Sequence, residues 1–386
     1  MSMSEHKPCV YMDNNLEVWQ DGMAKPCCIY QGSWGNLTNY ESILDSQKKL
    51  INTLDTTHAP CNQCWTHERN GITSKRQTGA YVESASPGIK TLEIKLSNLC
   101  NLACTTCGAE ASSIWANKLN VVAETNQFTK FGSADRLAAM INLIEKRKVN
   151  NIRLLGGEPT INPETWALLD KLIELGWNNN IRIELITNGV NISKFILKYV
   201  DKFKFSIALS IDGMGEVYEY MRWGGKWTDI LDTLKLLSYG SLSKNPHELN
   251  LAITYTYSVL NAFHYTEFKQ WADEELPVLL NHPQWTTPVG IHLNRVDWPI
   301  ELEARIVKMS MLQQLHPDIK PLVIHHISNK DRRPKPLRME LAARDIPRGI
   351  SYKNYKLNSL DSQNINMIIG DESMHYALGV SDARAW

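Results

Sequence analysis

Lys204-Phe205-Ser206-Ile207-Ala208-Leu209-Ser210-Ile211-Asp212 alternates an apolar residue with a small or polar one almost from end to end. A period of two is the signature of an extended strand with one apolar and one hydrophilic face. The same split recurs on either side of this segment. Leu92, Ile94 and Leu96 oppose Glu93, Lys95 and Ser97, and Leu251, Ile253 and Tyr255 oppose Asn250, Ala252, Thr254 and Thr256. Six runs are expected as strands: Ile89–Ser97, Asn151–Leu155, Ile181–Thr187, Lys204–Ile211, Leu249–Ser258 and Val289–Val296. Helix-length stretches such as Ala134–Lys146 and Pro163–Leu175 lie between them. Repeated strand–helix units build a parallel sheet, so the expectation is an α/β fold, a (βα)6 partial TIM barrel over residues 90–300. A closed eight-stranded barrel fills its interior with branched apolar side chains. The polar second face predicts a different arrangement, with helices over an apolar outside and a lumen open to a ligand.

Residues 1–89 lack that rhythm and form a small cysteine-rich N-terminal domain. In it Leu16–Gln20, Asp21-Gly22 and Met23–Cys28 read as a hairpin, the Asp-Gly pair supplying the positive backbone angles of a tight turn. Residues 301–386 read as a helical C-terminal extension, with helical segments at Glu301–Leu315 and Arg338–Arg344 and a mixed polar tail. Lys plus Arg and Asp plus Glu are equal at 41 each, so no global field recruits nucleic acid or an anionic membrane. The basic stretch Lys330–Arg338 is most simply a solvated loop. No run has the apolar core of a signal peptide or the length of a membrane span, which places the chain in the cytoplasm.

That compartment is reducing, and all eight cysteines fall within the first 107 of 386 residues. They therefore read as metal ligands rather than disulfides. Cys100-Asn-Leu-Ala-Cys104-Thr-Thr-Cys107 follows the first barrel strand directly. Three thiolates on one loop can hold three irons of a [4Fe-4S] cube and leave the fourth open for chemistry. Structural zinc wants four closed ligands and a paired spacing that this loop lacks.

The loop resembles the signature of the radical S-adenosylmethionine (SAM) superfamily, and the resemblance extends along the barrel. Gly156-Gly157-Glu158-Pro159 ends the second strand and is similar to the family motif for the methionine amino group. Thr187-Asn188-Gly189 ends the third strand. Ser206, Ser210 and Asp212 on the fourth, with Arg222 beyond it, resemble the family's polar residues near the ribose and carboxylate. Thr106 departs from the aromatic residue common before the third cysteine. The resemblance implies reductive cleavage of SAM to a 5′-deoxyadenosyl radical, which abstracts a substrate hydrogen atom, with a flavodoxin- or ferredoxin-type electron donor. Glu93, Lys95, Asn250, Thr254, His292 and Asn294 are candidates to line the lumen around that substrate.

Cys9, Cys27, Cys61 and Cys64, with Gly22 between the first two, supply four more thiolates. Their pattern resembles the auxiliary-cluster module called SPASM in its short twitch form, here ahead of the barrel. Glu68, Gly71, Ser74 and Arg76 follow at the spacing of a subgroup of such proteins. The resemblance implies a second, auxiliary [4Fe-4S] cluster, and four-cysteine zinc is the competing reading. Cys28 could replace Cys27 as ligand. The spare thiol is either a small buried apolar group or a catalytic donor that returns a hydrogen atom to a substrate radical, for which Cys28 is the candidate. Relatives with auxiliary clusters imply a peptide or protein side chain as substrate, modified or epimerised. The rival is a small polyol, amino sugar or nucleotide, and a non-catalytic iron–sulfur or zinc protein is the remote third reading.

Overall fold

The computed structural model describes residues 9–53, 58–69, 71, 73–79, 88–121, 133–238, 249–280, 289–296, 299–304, 309–327, 337–351 and 354. The six expected barrel strands are present as β4 (Thr91–Lys95), β5 (Asn151–Leu155), β6 (Arg182–Thr187), β7 (Lys204–Ser210), β8 (Leu249–Tyr257) and β9 (Gly290–Arg295). Each pairs in parallel with the next, so every strand–helix unit advances the sheet by one place. The fold is α/β with a mostly parallel sheet, consistent with a partial barrel.

Burial alternates along these strands as the two-residue period requires. On β6 and β7 the outward side chains Ile183, Leu185, Phe205, Ile207 and Leu209 are 1% exposed or less, under the flanking helices. On the other face, Arg182, Glu184, Ile186, Ser206, Ala208 and Ser210 are only half-buried, toward the lumen. The outer helices begin where capping residues stand. Asn162 accepts from the backbone N–H of Glu164 and Pro163 takes the first turn of the helix Pro163–Glu174, where a missing N–H costs nothing.

The N-terminal hairpin forms as β1 (Asn15–Val18) and β2 (Met23–Lys25), with β3 (Gly35–Asn36) beyond it. Gly22 takes φ +78° at the turn, and the Asp21 carboxylate accepts from the Met23 N–H. This hairpin is not a detached module. β1 pairs in parallel with β4, Glu17 opposite Glu93, and extends the barrel into one nine-stranded sheet in the order β3-β2-β1-β4-β5-β6-β7-β8-β9. An isolated hairpin is marginal in water and an open β4 edge would invite mispairing. Docking satisfies both, burying Leu16 and Val18 completely beside Leu92 and Ile94. It also brings residues from outside the barrel segment into the lumen. One register layer now reads Glu17, Glu93, Arg153, Glu184, Ser206 and Asn250 across six neighbouring strands.

The C-terminal region corrects one expectation. Glu301–Leu315 does not form a continuous helix: short 3-10 turns occupy Ile300–Leu302 and Met309–Gln314. The reason is tertiary. The Leu302 carbonyl accepts from the Val259 N–H at 2.9 Å, and Leu302 and Ala304 are buried against the barrel. The later helix is longer than its pattern indicated, running Leu337–Arg348. Most of the basic stretch Lys330–Arg338 lies outside the described residues. Among the described residues, no helix is long and apolar enough to cross a membrane.

Candidate active site

The segment leaving β4 carries Cys100, Cys104 and Cys107 over the C-terminal ends of the barrel strands, where parallel sheets bind ligands. Protein contacts hold its path from several sides. Ala103 N–H donates to Trp223 O at 2.9 Å and Thr105 N–H to Met221 O at 2.7 Å, the pattern of a short strand pair. Ser112 Oγ donates to Leu102 O and Trp115 Nε1 to Cys104 O, at 2.6 and 2.9 Å.

Gly156 and Gly157 abut this segment. A Cβ on Gly157 would lie 2.3 Å from Leu99 O, and one on Gly156, whose φ is +121°, would lie 2.9 Å from Ser97 O. Gly157 N–H donates to Ser97 O and Glu158 N–H to Leu99 O. The close approach these glycines permit is therefore first of all to the thiol segment itself. Glu158 is 1% exposed, and its carboxylate accepts from Thr160 N–H, Thr160 Oγ1, Thr187 Oγ1 and Asn188 N–H. Burial raises its pKa, and those four donors oppose the rise. The structure thus uses this carboxylate to lock the end of β5 to the end of β6. Asn188 in turn donates to Asn101 Oδ1 and approaches Cys100 Sγ at 3.9 Å.

These elements enclose a cavity of about 320 Å³, within the range of small-molecule sites. Cys100, Cys104, Cys107, Gly156, Gly157, Asn188, Ser210 and Arg222 line it together. Thr106 lines it as well, in place of the expected aromatic residue. Four of the expected cofactor residues do not line it. Glu158 and Pro159 are buried, Ser206 lies lower in the lumen accepting from Arg182 Nη1, and Asp212 is fully buried beside Arg222. Sequence reasoning missed Thr256, Arg295 and Val296, which complete the lining from β8 and the end of β9. The lumen-face position of Thr256, two residues beyond Thr254, was the available signal.

Arg222 organises the electrostatics. Its Nη2 is 2.9 Å from Asp212 Oδ2 and its Nη1 is 3.9 Å from Cys104 Sγ. Burial opposes the guanidinium charge, but Asp212 and Cys104 outweigh it and the pKa rises. Burial raises Asp212 against the opposing pull of Arg222. A hydrogen bond with Cys107 lowers Cys104 and raises Cys107, while burial pushes Cys100 up to about 12. Three thiols line the cavity and, among the described residues, no carboxylate or imidazole does, so the donor chemistry present fits an iron–sulfur cluster.

The second thiol set is also gathered. Cys9, Cys27, Cys61 and Cys64 line one pocket with Lys75 and Arg76, and burial pushes Cys27 and Cys61 up to about 12. Cys28 is exposed and does not line it. Ser74 Oγ and Arg76 Nε donate to Glu68 at 2.5 and 2.9 Å; burial raises the Cys64 pKa, and the neighbouring Arg76 and Ser74 oppose the rise. Strand direction places the two sets at opposite ends of the sheet. β1 runs with β4 and β2 returns, so Cys27 and Cys28 emerge where β4 begins, whereas Cys100 follows its end. That is about 15–20 Å of strand. None of the eight cysteines is in a disulfide; each set shares a pocket, but among the described residues no three His, Cys, Asp or Glu side chains already stand at the spacing of a metal site.

Of the expected lumen residues, Glu93 is buried in an ion pair with Arg153, Thr254 is half-buried, and Asn250, His292 and Asn294 are exposed. Lys95 Nζ lies 2.6 Å from Glu17 Oε1 and 4.5 Å from the Trp19 ring. Glu17 and Trp19 come from the N-terminal hairpin and were not anticipated as lumen residues.

Thiols, a double-glycine turn and a buried arginine at the C-terminal ends of a parallel partial barrel define a class. Residues 94–240 match the family model for the Radical SAM superfamily. Members of that superfamily are enzymes, and the family implies a [4Fe-4S] cluster and SAM. Two curated relatives are a probable GTP 3′,8-cyclase of Methanococcus aeolicus, 29% identical over 35% of this chain and 42% of that protein, and the radical SAM cyclopropyl synthase TigE of Paramaledivibacter caminithermalis, 27% identical over 39% and 32%. This chain thus spans less than half the length of either. The solved structure of native anSMEcpe with bound AdoMet is 19% identical, covering 68% of this chain and 67% of that one, with a TM-score of 0.40.

Proposed function

We propose that this protein is a radical SAM enzyme whose Cys100, Cys104 and Cys107 hold a [4Fe-4S] cluster and whose cavity receives SAM. The observation that carries this reading is the joint lining of one cavity by the three thiols, Gly156, Gly157, Asn188, Ser210 and Arg222. When bound, cluster and SAM supply a 5′-deoxyadenosyl radical able to take a hydrogen atom from a substrate. The chain's own residues do the rest. Arg222 offers positive charge to a thiolate or a ligand carboxylate, Asn188 and Ser210 offer hydrogen bonds, and the Gly156-Gly157 turn seats the thiol loop. Glu158 and Asp212 support that wall from behind. The protein works in the cytoplasm, where thiols stay reduced and a flavodoxin- or ferredoxin-type donor is at hand.

Cys9, Cys27, Cys61 and Cys64 hold a second [4Fe-4S] cluster, and the pocket that gathers all four thiols supports this over a role for Cys28 as ligand. The substrate is a peptide or protein side chain lying in the lumen between the two ends. The charged layer of Glu17, Glu93, Arg153 and Glu184 suits an amide-rich chain. Cys28, expected as a hydrogen-atom donor, is exposed where β4 begins, about 15–20 Å of strand from the thiol loop, and is therefore out of reach of a substrate radical formed there. A nucleotide is the second reading, favoured by the GTP 3′,8-cyclase relative.

Anaerobic reconstitution tests the assignment. The wild-type chain should hold about eight irons with both clusters, against about four if the N-terminal site takes zinc. Replacing Cys100, Cys104 and Cys107 together with alanine should remove about four irons and abolish 5′-deoxyadenosine formation. Persistent deoxyadenosine in that variant would overturn the reading. Stimulation of SAM cleavage by peptides rather than nucleotides would decide the substrate class.

A further inference from the structure

The helix Leu337–Arg348 lies outside the segment matched to the radical SAM family, yet it reaches the thiol loop at two points. Arg344 Nη1 donates to the Cys107 carbonyl at 2.7 Å. Arg348 Nη1 donates to Thr105 Oγ1 at 2.9 Å and to Tyr220 O at 3.2 Å. The same Thr105 hydroxyl donates to Tyr220 O, so one guanidinium closes a ring of hydrogen bonds between loop and barrel. Trp115 completes the contact. Its ring lies 5.8 Å from the Arg344 guanidinium and 5.6 Å from that of Arg348, while its Nε1 holds the Cys104 carbonyl.

We propose that the helix Leu337–Arg348 is a clamp on the thiol loop, with Arg344 and Arg348 as positioning residues that hold the backbone path of Cys104 to Cys107 for cluster ligation. Neither arginine lines the cavity, so neither is available to SAM or substrate. Both are themselves anchored. Arg344 Nε pairs with Glu340 at 2.6 Å, and Arg348, 4% exposed, pairs with Asp345, whose carboxylate also accepts from Tyr220. The helix end is tied down in turn, Lys118 Nζ donating to Pro347 O at 2.8 Å. With a carboxylate on each guanidinium, the clamp acts mainly through hydrogen bonds of fixed direction rather than through an unpaired charge. Fork-shaped donors held by packing supply that direction better than a lysine could.

The proposal rests on the cluster assignment above, and its test separates the two. In the metal-free protein, hydrogen exchange at the amides of Ala103, Thr105 and Cys107 reads the loop directly, because each is hydrogen-bonded in the structure. Arg344→Ala and Arg348→Ala should raise exchange there while leaving β5 to β8 unchanged. Arg344→Gln, which keeps an N–H donor, should stay close to wild type. In reconstituted protein, chelator-driven iron loss from the loop should be about 10–100-fold faster in the two alanine variants, as for the loss of other outer-shell partners of metal ligands. Arg344 is half-buried, so its variant remains folded if Arg348→Ala does not. Unchanged loop exchange in Arg344→Ala, or a glutamine variant as labile as the alanine one, would overturn the clamp. Faster exchange in a protein whose loop never takes up iron would instead uphold the clamp and reject the cluster assignment.

Discussion

Gly157→Ala should strip the thiol loop of its iron and destabilise the barrel. The new methyl group would sit 2.3 Å from Leu99 O and 2.7 Å from Asn98 O, and both obstacles are backbone rather than flexible side chain. Relief requires moving the loop away from the end of β5, which breaks the hydrogen bonds from Gly157 N–H to Ser97 O and from Glu158 N–H to Leu99 O. Overpacking of this kind costs about 1–3 kcal/mol, and an obstacle made of backbone puts this case at the upper end; the displaced loop no longer aims three thiols into one cavity. Denaturant unfolding and iron content after anaerobic reconstitution check both parts. Retention of wild-type stability with full iron would mean that the turn is not the seat of the loop.

Arg222→Met is expected to cost about 3–5 kcal/mol, because it leaves the wholly buried Asp212 carboxylate without its cation. Burial already raises the Asp212 pKa, and without Arg222 opposing that rise it should climb further. The sign of the pH dependence follows. A carboxyl whose folded pKa lies above its unfolded value near 4 binds more protons folded than unfolded, so stability falls as pH rises through that window. The variant should therefore be hurt most at neutral pH and recover as pH falls toward 4. Asp212→Asn added to Arg222→Met should restore much of the loss at pH 7. Unfolding curves across pH for the single and double variants give the coupling. A double variant no more stable than Arg222→Met would place the cost elsewhere.

Much of the site was readable before any coordinates, for identifiable reasons. The loop cysteines are close in sequence, and strand periodicity puts Ser210 on the lumen face, whereas Asn188 entered only through the resemblance of Thr187-Asn188-Gly189 to the family pattern. The role of Glu158 could not. A charged residue beside two glycines suggests contact with a ligand, but four donors from Thr160, Thr187 and Asn188 occupy its carboxylate. Three of those four partners depend on side-chain or cross-strand geometry that adjacency does not show. Arg295 and Thr256 were missed because their membership in the cavity depends on how far the sheet curls, a property of the assembled strands. Glu17 and Trp19 escaped notice because the hairpin carrying them read as a separate domain.

The amino-acid sequence alone was enough for the parallel α/β sheet, the two thiol groups and the order of motifs along the barrel. Each of these rests on periodicity or short spacing, which local backbone geometry enforces. Only the tertiary structure decided that β1 joins the barrel edge, that Glu301–Leu315 breaks into short turns, and that a helix more than 200 residues downstream grips the thiol loop. Those outcomes depend on which distant surfaces bury one another and which buried donors find acceptors. A linear pattern does not encode such pairings one residue at a time, because each is settled by competition among all the partners the folded chain brings within reach.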